Sequence, residues 1–168
     1  NYKERRNLTA ERDIAQVQVT GIDPVLEDEM SGLSEVVIEG DYLNPEEEGY
    51  ILIGSYYIEE YAEQFGDIFD SLAGVEPGDT VRMTAGNISK EFVVKGIIQS
   101  KVDEVSLNTY IPEREFRRLF DRYDRNADQI VIRALPGEPE EELRAALVSS
   151  GLGELAKIQT YDEAKPKF

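Results

Sequence analysis

The apolar residues of this chain fall into short runs separated by glycine and proline, and this spacing constrains the fold most. Residues 36–38, 50–53 and 130–132 have the length and β-branched composition of buried strands. No run approaches the roughly 18 apolar residues needed to span a bilayer. The pattern predicts a soluble, mixed α/β domain, and a chain of this length can bury about 70% of its unfolded surface without a disulfide or metal.

Further strands are predicted from alternation and from turn residues. Alternating apolar and polar residues predict a strand over residues 14–19, whereas the polar first dozen residues predict a frayed segment. Residues 80–84 and 91–98 flank a Gly-Asn turn and predict a β-hairpin. Two more strands are predicted at residues 105–111 and 158–161.

Four segments have the features of helices. Residues 25–33 predict a short acidic helix or loop. Ser55 is the predicted cap of a second helix, and Pro112 begins a third that extends to about Tyr123. Pro139 begins a fourth, with glutamates in its first turn, where the helix dipole favours anions. The predicted inward faces are Ile58, Tyr61, Ala62 and Phe65; Phe116, Leu119, Phe120 and Tyr123; and Leu143, Ala146 and Leu147.

The order of these elements predicts an α+β fold with two subdomains. Residues 34–106 are β-rich and predict an inserted subdomain. Residues 1–33 and 107–168 flank the insert and predict an α+β sandwich around an inner strand at residues 130–133.

The chain contains neither cysteine nor histidine. Thiol catalysis, disulfides, Ser-His-Asp triads and zinc sites built from those ligands are therefore excluded. Acid–base chemistry would have to use carboxylates, lysine or tyrosine. We expect no catalytic residue, no metal site and no cofactor.

The formal net charge of −17 comes from 35 acidic and 18 basic residues. Such a surface repels phosphate backbones, so we expect no binding to nucleic acid. Basic residues are frequent between Arg114 and Arg125, where they alternate with acidic residues such as Glu115. This alternation predicts a solvated helix face.

Six short segments of the sequence are each common in proteins, but their order along the chain is distinctive. They are Val19-Thr20-Gly21-Ile22-Asp23-Pro24, Ile38-Glu39-Gly40-Asp41-Tyr42-Leu43, Ile51-Leu52-Ile53-Gly54, Pro77-Gly78-Asp79-Thr80-Val81, Phe92-Val93-Val94-Lys95-Gly96-Ile97 and Tyr110-Ile111-Pro112. Residues 127–133 and an acidic helix follow them. In this order, over roughly residues 17–165, the sequence resembles the extracytoplasmic domain of MacB/LolE/FtsX-type permeases of ABC transporters.

The resemblance implies a non-catalytic domain between the first two transmembrane helices of a permease, with a porter-like α+β subdomain and a β-rich one. It implies that the domain faces outside the cytoplasm at the cell membrane. The implied partners are the protein's own transmembrane helices, a cytoplasmic ATPase subunit or domain, and an external protein or substrate, with a dimer in the full transporter. The family carries no short catalytic motif, so no site residue is transferred. Because the chain begins with Asn1 rather than Met, we expect it to be part of a longer protein.

One motif has the spacing of a metal-binding loop. Asp124, Asn126 and Asp128 occupy the first, third and fifth places of a calcium loop. An EF-hand needs Gly at the sixth place and Glu at the twelfth, where this chain has Gln129 and Leu135. We interpret the segment as a polar link between a helix and a strand.

Acidic runs and tyrosines are the other candidates for a site. Glu46–Glu48 and Glu140–Glu142 are predicted to be a solvated turn and a charged helix start, because an exposed run does not separate the pKa values of its carboxyls. Tyr56, Tyr57 and Tyr61 could stack on a sugar or a partner side chain. Helical spacing places Tyr61 in the core and leaves Tyr56 or Tyr57 as a candidate contact.

The sequence favours an interaction and force-transmitting domain of an ABC permease over an enzyme. One alternative is a free-standing secreted or surface module that binds a ligand. A less favoured alternative is a hydrolase that uses only carboxylates, which would need two of them roughly 5–10 Å apart in a cleft, one of them desolvated.

Overall fold

The computed structural model describes residues 2–10, 13–62, 70–124 and 126–164. Its strands are β1 (Tyr2–Ala10), β2 (Asp13–Ile22), β3 (Val37–Gly40), β4 (Tyr50–Gly54), β5 (Thr80–Ala85), β6 (Ile88–Ile98) and β7 (Asn108–Pro112). Its helices are α1 (Pro24–Ser31), α2 (Glu59–Ala62), α3 (Asp103–Ser106), α4 (Glu113–Leu119), α5 (Glu140–Ser149) and α6 (Tyr161–Ala164), with 3-10 turns at Leu33–Val36, Ser55–Tyr57 and Leu152–Glu154. The chain divides into two compact units, Asn1–Ile130 and Val131–Phe168.

The strands of the first unit form one sheet that closes on itself. Their order is β3-β6-β4-β7-β2-β1-β5, and β5 pairs with both β1 and the first half of β6. The second half of β6 pairs with β4 on one edge and with β3 on the other. Six strands therefore complete a barrel, with β3 beside it as a seventh. Closure gives each of the six a hydrogen-bonded neighbour on both sides.

The main core lies inside this barrel. Alternate residues of each strand point inward, since successive side chains of a strand face opposite sides of the sheet. On β2 these are Ala15, Val17 and Val19, and α4 packs on the same core through Phe116 and Leu119. The other inward strand residues are Leu8, Ala10, Ile51, Ile53, Val81, Met83, Phe92, Val94, Ile97 and Ile111.

A second apolar cluster lies on the outer face of β4, β6 and β7. It contains Leu52, Ile98 and Tyr110 from these strands, together with Leu33 and Leu43. The segment from α1 to the end of β3 covers this face. Its helix begins as predicted after the Gly-Ile-Asp-Pro turn, because the Asp23 side chain accepts hydrogen bonds from the N–H groups of Val25 and Leu26.

The predicted fraying of the first dozen residues is wrong for β1. This strand pairs along its whole length with β2 and at Asn7–Thr9 with β5. Leu8 and Ala10 are buried, whereas Asn7 is exposed and Thr9 is half-buried. Polar composition misled the prediction, because backbone pairing on both edges fixes this strand with few apolar side chains.

The sheet does not follow the predicted division into an insert and its flanks. Strands β3 to β6 lie within residues 34–106, and β1, β2 and β7 lie outside them, yet all seven share one sheet. The insert therefore has no sheet of its own. The one boundary between compact units falls after Ile130 rather than near residues 34 and 106.

The predicted helices have shorter bounds than the sequence indicated. The segment after β4 forms the 3-10 turn Ser55–Tyr57 and α2, and Ser55 makes no capping hydrogen bond. Phe65, on the predicted stripe, lies outside the described residues. The third helix ends at Leu119, and the segment before it contains α3 and then β7 rather than one strand over residues 105–111.

The second unit contains α5 and α6 but none of the predicted strands. Helix α5 is confirmed, and the chain leaves it at Gly151, whose φ of 87° is left-handed and suits glycine. Residues 130–133 and the segment before α6 at residues 158–160 have no strand pairing. The predicted strands there are wrong for this chain, because no neighbouring strand is available to pair with them. Ala146, predicted to face inward, is exposed.

Candidate interaction surface

Two of the three candidate tyrosines are structural residues of the barrel. The Tyr57 hydroxyl donates to the Leu107 carbonyl (2.7 Å) and accepts from the Gln18 N–H (3.1 Å). Tyr56 donates to the Asp103 carboxylate at 2.7 Å. Both rings are more than nine-tenths buried. The interpretation of Tyr56 or Tyr57 as an exposed contact is therefore wrong.

Four tyrosines hold their phenol protons more tightly than a free tyrosine does. The hydrogen bond from Tyr61 to Glu39 raises the pKa of Tyr61 to about 12, and the hydrogen bond to Asp103 raises the pKa of Tyr56. Burial raises the pKa of Tyr42 and of Tyr110. In each case the folded environment stabilises the protonated phenol relative to the phenolate.

We expect alkali to unfold the first unit over a window set by these tyrosines. Because their folded pKa values exceed the unfolded value of 10.0, their contribution is fully present below pH 10. It is lost as the pH rises towards about 12, the pKa of Tyr61. Absorbance at 295 nm reports only tyrosine, since the chain has no Trp, and should rise together with the loss of circular dichroism.

The Tyr61→Phe variant is the control for this titration. It has no ionisable group at that position, so it should lose less stability between pH 10 and about 12 than the parent chain. Ionisation of all nine tyrosines near pH 10 in a chain that remains folded would contradict the assignment.

The Glu46–Glu48 run is a turn that is held by a local hydrogen bond and by ion pairs to β6 and α4. The Asn44 side chain accepts from the N–H of Glu46 at 3.0 Å, as in an Asx turn. Glu47 pairs with Lys95 of β6 at 2.8 Å, and Glu48 pairs with Arg118 of α4 at 3.2 Å. The Arg118 hydrogen bond lowers the pKa of Glu48. Two of the three carboxylates are therefore engaged in ion pairs that hold this loop in position.

A buried carboxylate that the sequence did not indicate lies next to this loop. Glu115 of α4 is 1% exposed, although the surrounding charges predicted a solvated face. It forms an ion pair with Lys90 of β6, and its other oxygen accepts from the Gly49 N–H at 2.9 Å. Sequence spacing gave no signal, because Glu115 and Phe116 are neighbours on α4 and both are buried.

The remaining acidic candidates are engaged with neighbouring groups of the chain. Asp128 pairs with Arg122 at 2.9 Å, and Asp124 accepts from the Asn126 N–H at 3.1 Å, so their oxygens serve different partners. In the second unit, Arg144 pairs with Glu163 at 3.2 Å beside a groove of about 410 Å³. That groove is lined by Pro139, Glu140, Glu141, Thr160, Asp162 and Glu163. Across the described residues, no cluster of three or more potential ligands could hold a metal ion.

The net negative charge of the protein comes from one continuous stretch of sequence. Residues 13–81 contain 18 acidic residues and no Lys or Arg, whereas the rest of the chain holds the other 17 acidic and all 18 basic residues. The stretch includes α1, β3, β4, α2 and the segments between them. The negative charge is therefore concentrated in residues 13–81, and the rest of the chain is nearly neutral.

The exposed part of this stretch around α1 and β3 forms the candidate interaction surface, which we call the acidic surface. It combines carboxylates with three exposed apolar side chains, Val25, Leu26 and Ile38. Its exposed acidic residues are Asp23, Glu29, Glu35, Glu39 and Asp41, and the half-buried Glu27 and Asp28 lie beside them.

Short-range bonds hold the acidic surface in place. The Tyr42 hydroxyl donates to the Pro24 carbonyl at 3.0 Å, which joins the segment after β3 to α1. The Asp28 carboxylate accepts from the N–H and the hydroxyl of Ser34 at 2.7 and 2.9 Å. A surface of this composition attracts cationic groups and repels phosphate and anionic lipid.

Comparison with solved structures identifies the fold. The chain resembles the periplasmic region of MacB from Actinobacillus actinomycetemcomitans with a TM-score of 0.58 and 15% sequence identity, over 92% of this chain and 64% of that one. It has the fold of a MacB-like extracytoplasmic domain. The extracellular domain of YknZ, a noncanonic ABC-type transporter from Gram-positive bacteria, aligns with a TM-score of 0.49 and 12% identity over 71% of this chain and 56% of that one.

Among the comparisons with known proteins, only the comparison of structures finds the MacB-like fold. No protein-family model matches the sequence, and a search of curated proteins finds no match. The chain spans less than two thirds of each of the two solved domains. Among the described residues, no helix is both long enough and apolar enough to cross a bilayer.

Proposed function

We propose that this chain is the non-catalytic extracytoplasmic part of an ABC-transporter permease, and that it couples movement of membrane helices to an external partner or substrate. The observation that carries the proposal is the MacB-like fold, which extends over 92% of the chain. The partners are then the protein's own transmembrane helices, a cytoplasmic ATPase and, outside, a protein or substrate, with a dimer as the assembled form.

The chemistry of the described residues favours coupling over hydrolysis. Glu115 is the one acidic residue among the buried residues of the described part. It is buried and its two oxygens bind Lys90 and the Gly49 N–H, so it does not face a space in which a substrate could bind. The carboxylates that line the groove of the second unit are exposed, and one of them, Glu163, pairs with Arg144. A carboxylate hydrolase would need a desolvated carboxyl.

The closed barrel suits the transmission of movement. Each of its six strands is hydrogen-bonded on both sides, so a displacement at one end moves the barrel as a body rather than separating its strands. Charge favours one orientation of this body. The acidic surface is repelled by anionic lipid and would face away from the membrane, where an external partner is reached.

A single spin label can test this function because the chain has no cysteine. Asn87 lies in the exposed turn between β5 and β6, and Asn87→Cys provides the one cysteine within these 168 residues. Any cysteine elsewhere in the complex is first replaced by serine. In the membrane-embedded protein with its ATPase, we expect the distance distribution between the two labels of a dimer to change when ATP is added. Pulsed electron paramagnetic resonance measures this distribution.

The matched control uses the same labelled protein with an ATPase variant that cannot bind ATP, and its distribution should stay constant. An unchanged distribution in the parent while ATP is hydrolysed would contradict coupling through this domain. Recovery of the native protein in soluble form, without an associated ATPase, would instead support the free-standing ligand-binding module.

A further inference from the structure

Helix α1 turns two large apolar side chains to solvent and two carboxylates inward. Val25 and Leu26 are 48% and 59% exposed, whereas Glu27 and Asp28 are half-buried. With about 3.6 residues per turn, Glu29 lies one turn after Val25 and Leu26 on the same side of the helix. A surface helix normally has the opposite arrangement, with its apolar side on the core. The outer side of α1 is therefore an apolar surface in contact with water.

Polar bonds fix α1 in this reversed orientation. The Asp28 carboxylate accepts from the N–H and the hydroxyl of Ser34, and the Pro24 carbonyl accepts from the Tyr42 hydroxyl. Rotation of the helix to bury Val25 and Leu26 would break these bonds. Because the surface is already held in place, a partner that covers it does not have to order it first.

The carboxylates around this apolar side have no cationic partner. Among the described residues, none of the acidic residues of the acidic surface forms an ion pair with Lys or Arg. The acidic residues that do form such pairs are Glu47, Glu48, Glu91, Glu113, Glu115, Asp128, Glu141 and Glu163. The negative potential of the acidic surface is therefore uncompensated by neighbouring side chains and is available to a cationic partner.

We infer that the acidic surface binds a cationic amphipathic helix of an external protein. The apolar side of that helix would pack on Val25 and Leu26, and its lysine or arginine side chains would meet the surrounding carboxylates. An apolar centre with a charged rim is the usual composition of such a contact. The inference rests on the proposed function, because it names the class of external partner which that function requires.

A helix suits the acidic surface better than a strand does. Among the described strands, β3 is at the open edge of the sheet, where a strand could be added. It has only four residues, and its register shifts between Val37 and Glu39. Short length and a bulge oppose pairing at an edge. Helix α1, by contrast, offers a ridge of side chains on which a second helix can pack.

Charge makes two other occupants unfavourable. A second copy of this chain would bring the same acidic surface against the first, and anionic lipid would bring phosphate groups against the carboxylates. Like charges repel in both cases. A cationic helix gains from the same charges and from burial of the apolar side chains.

A synthetic peptide tests the inference on the 168-residue chain. The probe is a helix-forming peptide of leucine and lysine, about 18 residues or five turns long, with its leucines along one side. The comparison peptide has the same residues in an order that spreads the leucines around the helix. We expect the probe to bind at least about tenfold more tightly at about 0.15 M salt, as measured by fluorescence anisotropy. Equal affinity of the two peptides overturns the inference, because net charge alone would then explain binding.

Serine variants test the apolar side of α1. The double variant Val25→Ser, Leu26→Ser should weaken binding of the probe at least about tenfold, because the apolar contact is lost. The matched control is Ile88→Ser, Leu135→Ser, which changes two apolar residues of similar exposure, 46% and 68%, elsewhere in the chain. It should bind like the parent chain. Equal weakening by the two double variants overturns the inference. All four side chains are exposed, so both variants should keep the circular dichroism of the parent.

Charge variants test the carboxylates. Glu29→Gln, Glu35→Gln should weaken binding of the probe about threefold or more at low salt, and the difference should shrink as salt screens the remaining charges. Glu140→Gln, Glu142→Gln removes the same charge from exposed positions of α5 and should change the affinity less than about twofold. If the two pairs of substitutions weaken binding equally, the probe responds to the total charge of the chain and the inference fails.

The other occupants are tested with the same serine variant of α1. Self-association of the parent chain in sedimentation, lost in Val25→Ser, Leu26→Ser, would overturn the inference in favour of a second copy. Binding of the parent to phosphatidylglycerol vesicles, lost in that variant, would overturn it in favour of lipid. These measurements need neither ATPase nor membrane helices. Failure to bind the probe therefore leaves the spin-label test of coupling untouched, and an unchanged label distance leaves the peptide result standing.

Discussion

Gly54→Ala should destabilise the first unit by about 3 kcal/mol or more, because the added methyl group has no space. A Cβ at Gly54 would lie 2.1 Å from the carbonyl oxygen of Ser106 and 2.6 Å from that of Asn108. Both are backbone atoms where α3 leads into β7, and β7 pairs with β4 at Ile53. The neighbouring segment cannot yield without separating two strands of the barrel. Urea denaturation followed by circular dichroism gives the change in the free energy of unfolding.

Gly153→Ala and Gly86→Ala are the controls for this clash. A Cβ at Gly153 would make an ordinary contact of 3.6 Å with Val148, so the change there should be within about 0.5 kcal/mol. At Gly86 there is open space, but φ is 59°, so alanine should cost about 1 kcal/mol through backbone strain alone. A loss at Gly54 no larger than the loss at Gly86 would show that the two strands can move apart freely.

Glu115→Ala should destabilise the same unit by about 2–3 kcal/mol. Removing one partner of a buried ion pair costs more than the pair contributes, because the other groups lose their hydrogen-bond partner. Here those groups are the Lys90 ammonium and the Gly49 N–H. Lys90 is one-third exposed and can be partly hydrated, which places the expected loss at or below the lower end of the range of about 3–5 kcal/mol for buried pairs.

Glu113→Ala is the matched control on the same helix. Glu113 is 40% exposed and pairs with Arg117 four residues later, an arrangement worth about 0.3–0.5 kcal/mol. Glu115→Gln keeps an acceptor for the Gly49 N–H but loses the charge, so its effect should fall between the other two. If Glu113→Ala and Glu115→Ala have equal effects, the burial of Glu115 does not contribute to stability.

Local chemistry in the sequence determined the elements that depend only on near neighbours. Helix α1 follows from the Asp23 cap and Pro24, and α5 follows from Pro139 and from the left-handed glycine at its end. The β5–β6 hairpin follows from alternation around a Gly-containing turn. The order of six short segments also led to the MacB-like fold, since each segment encodes a turn or strand of that fold.

The tertiary structure alone decided which strands pair and which charges are buried. β1 has a polar sequence and is a strand because β2 and β5 provide hydrogen bonds on both of its edges. Residues 130–132 have the opposite combination, with a strand-like sequence and no neighbour to pair with. Glu115 is buried because Lys90 and Gly49 come from distant parts of the chain to meet it. Backbone pairing and charge burial depend on partners far away in sequence, and the local pattern of residues carries no information about where those partners lie.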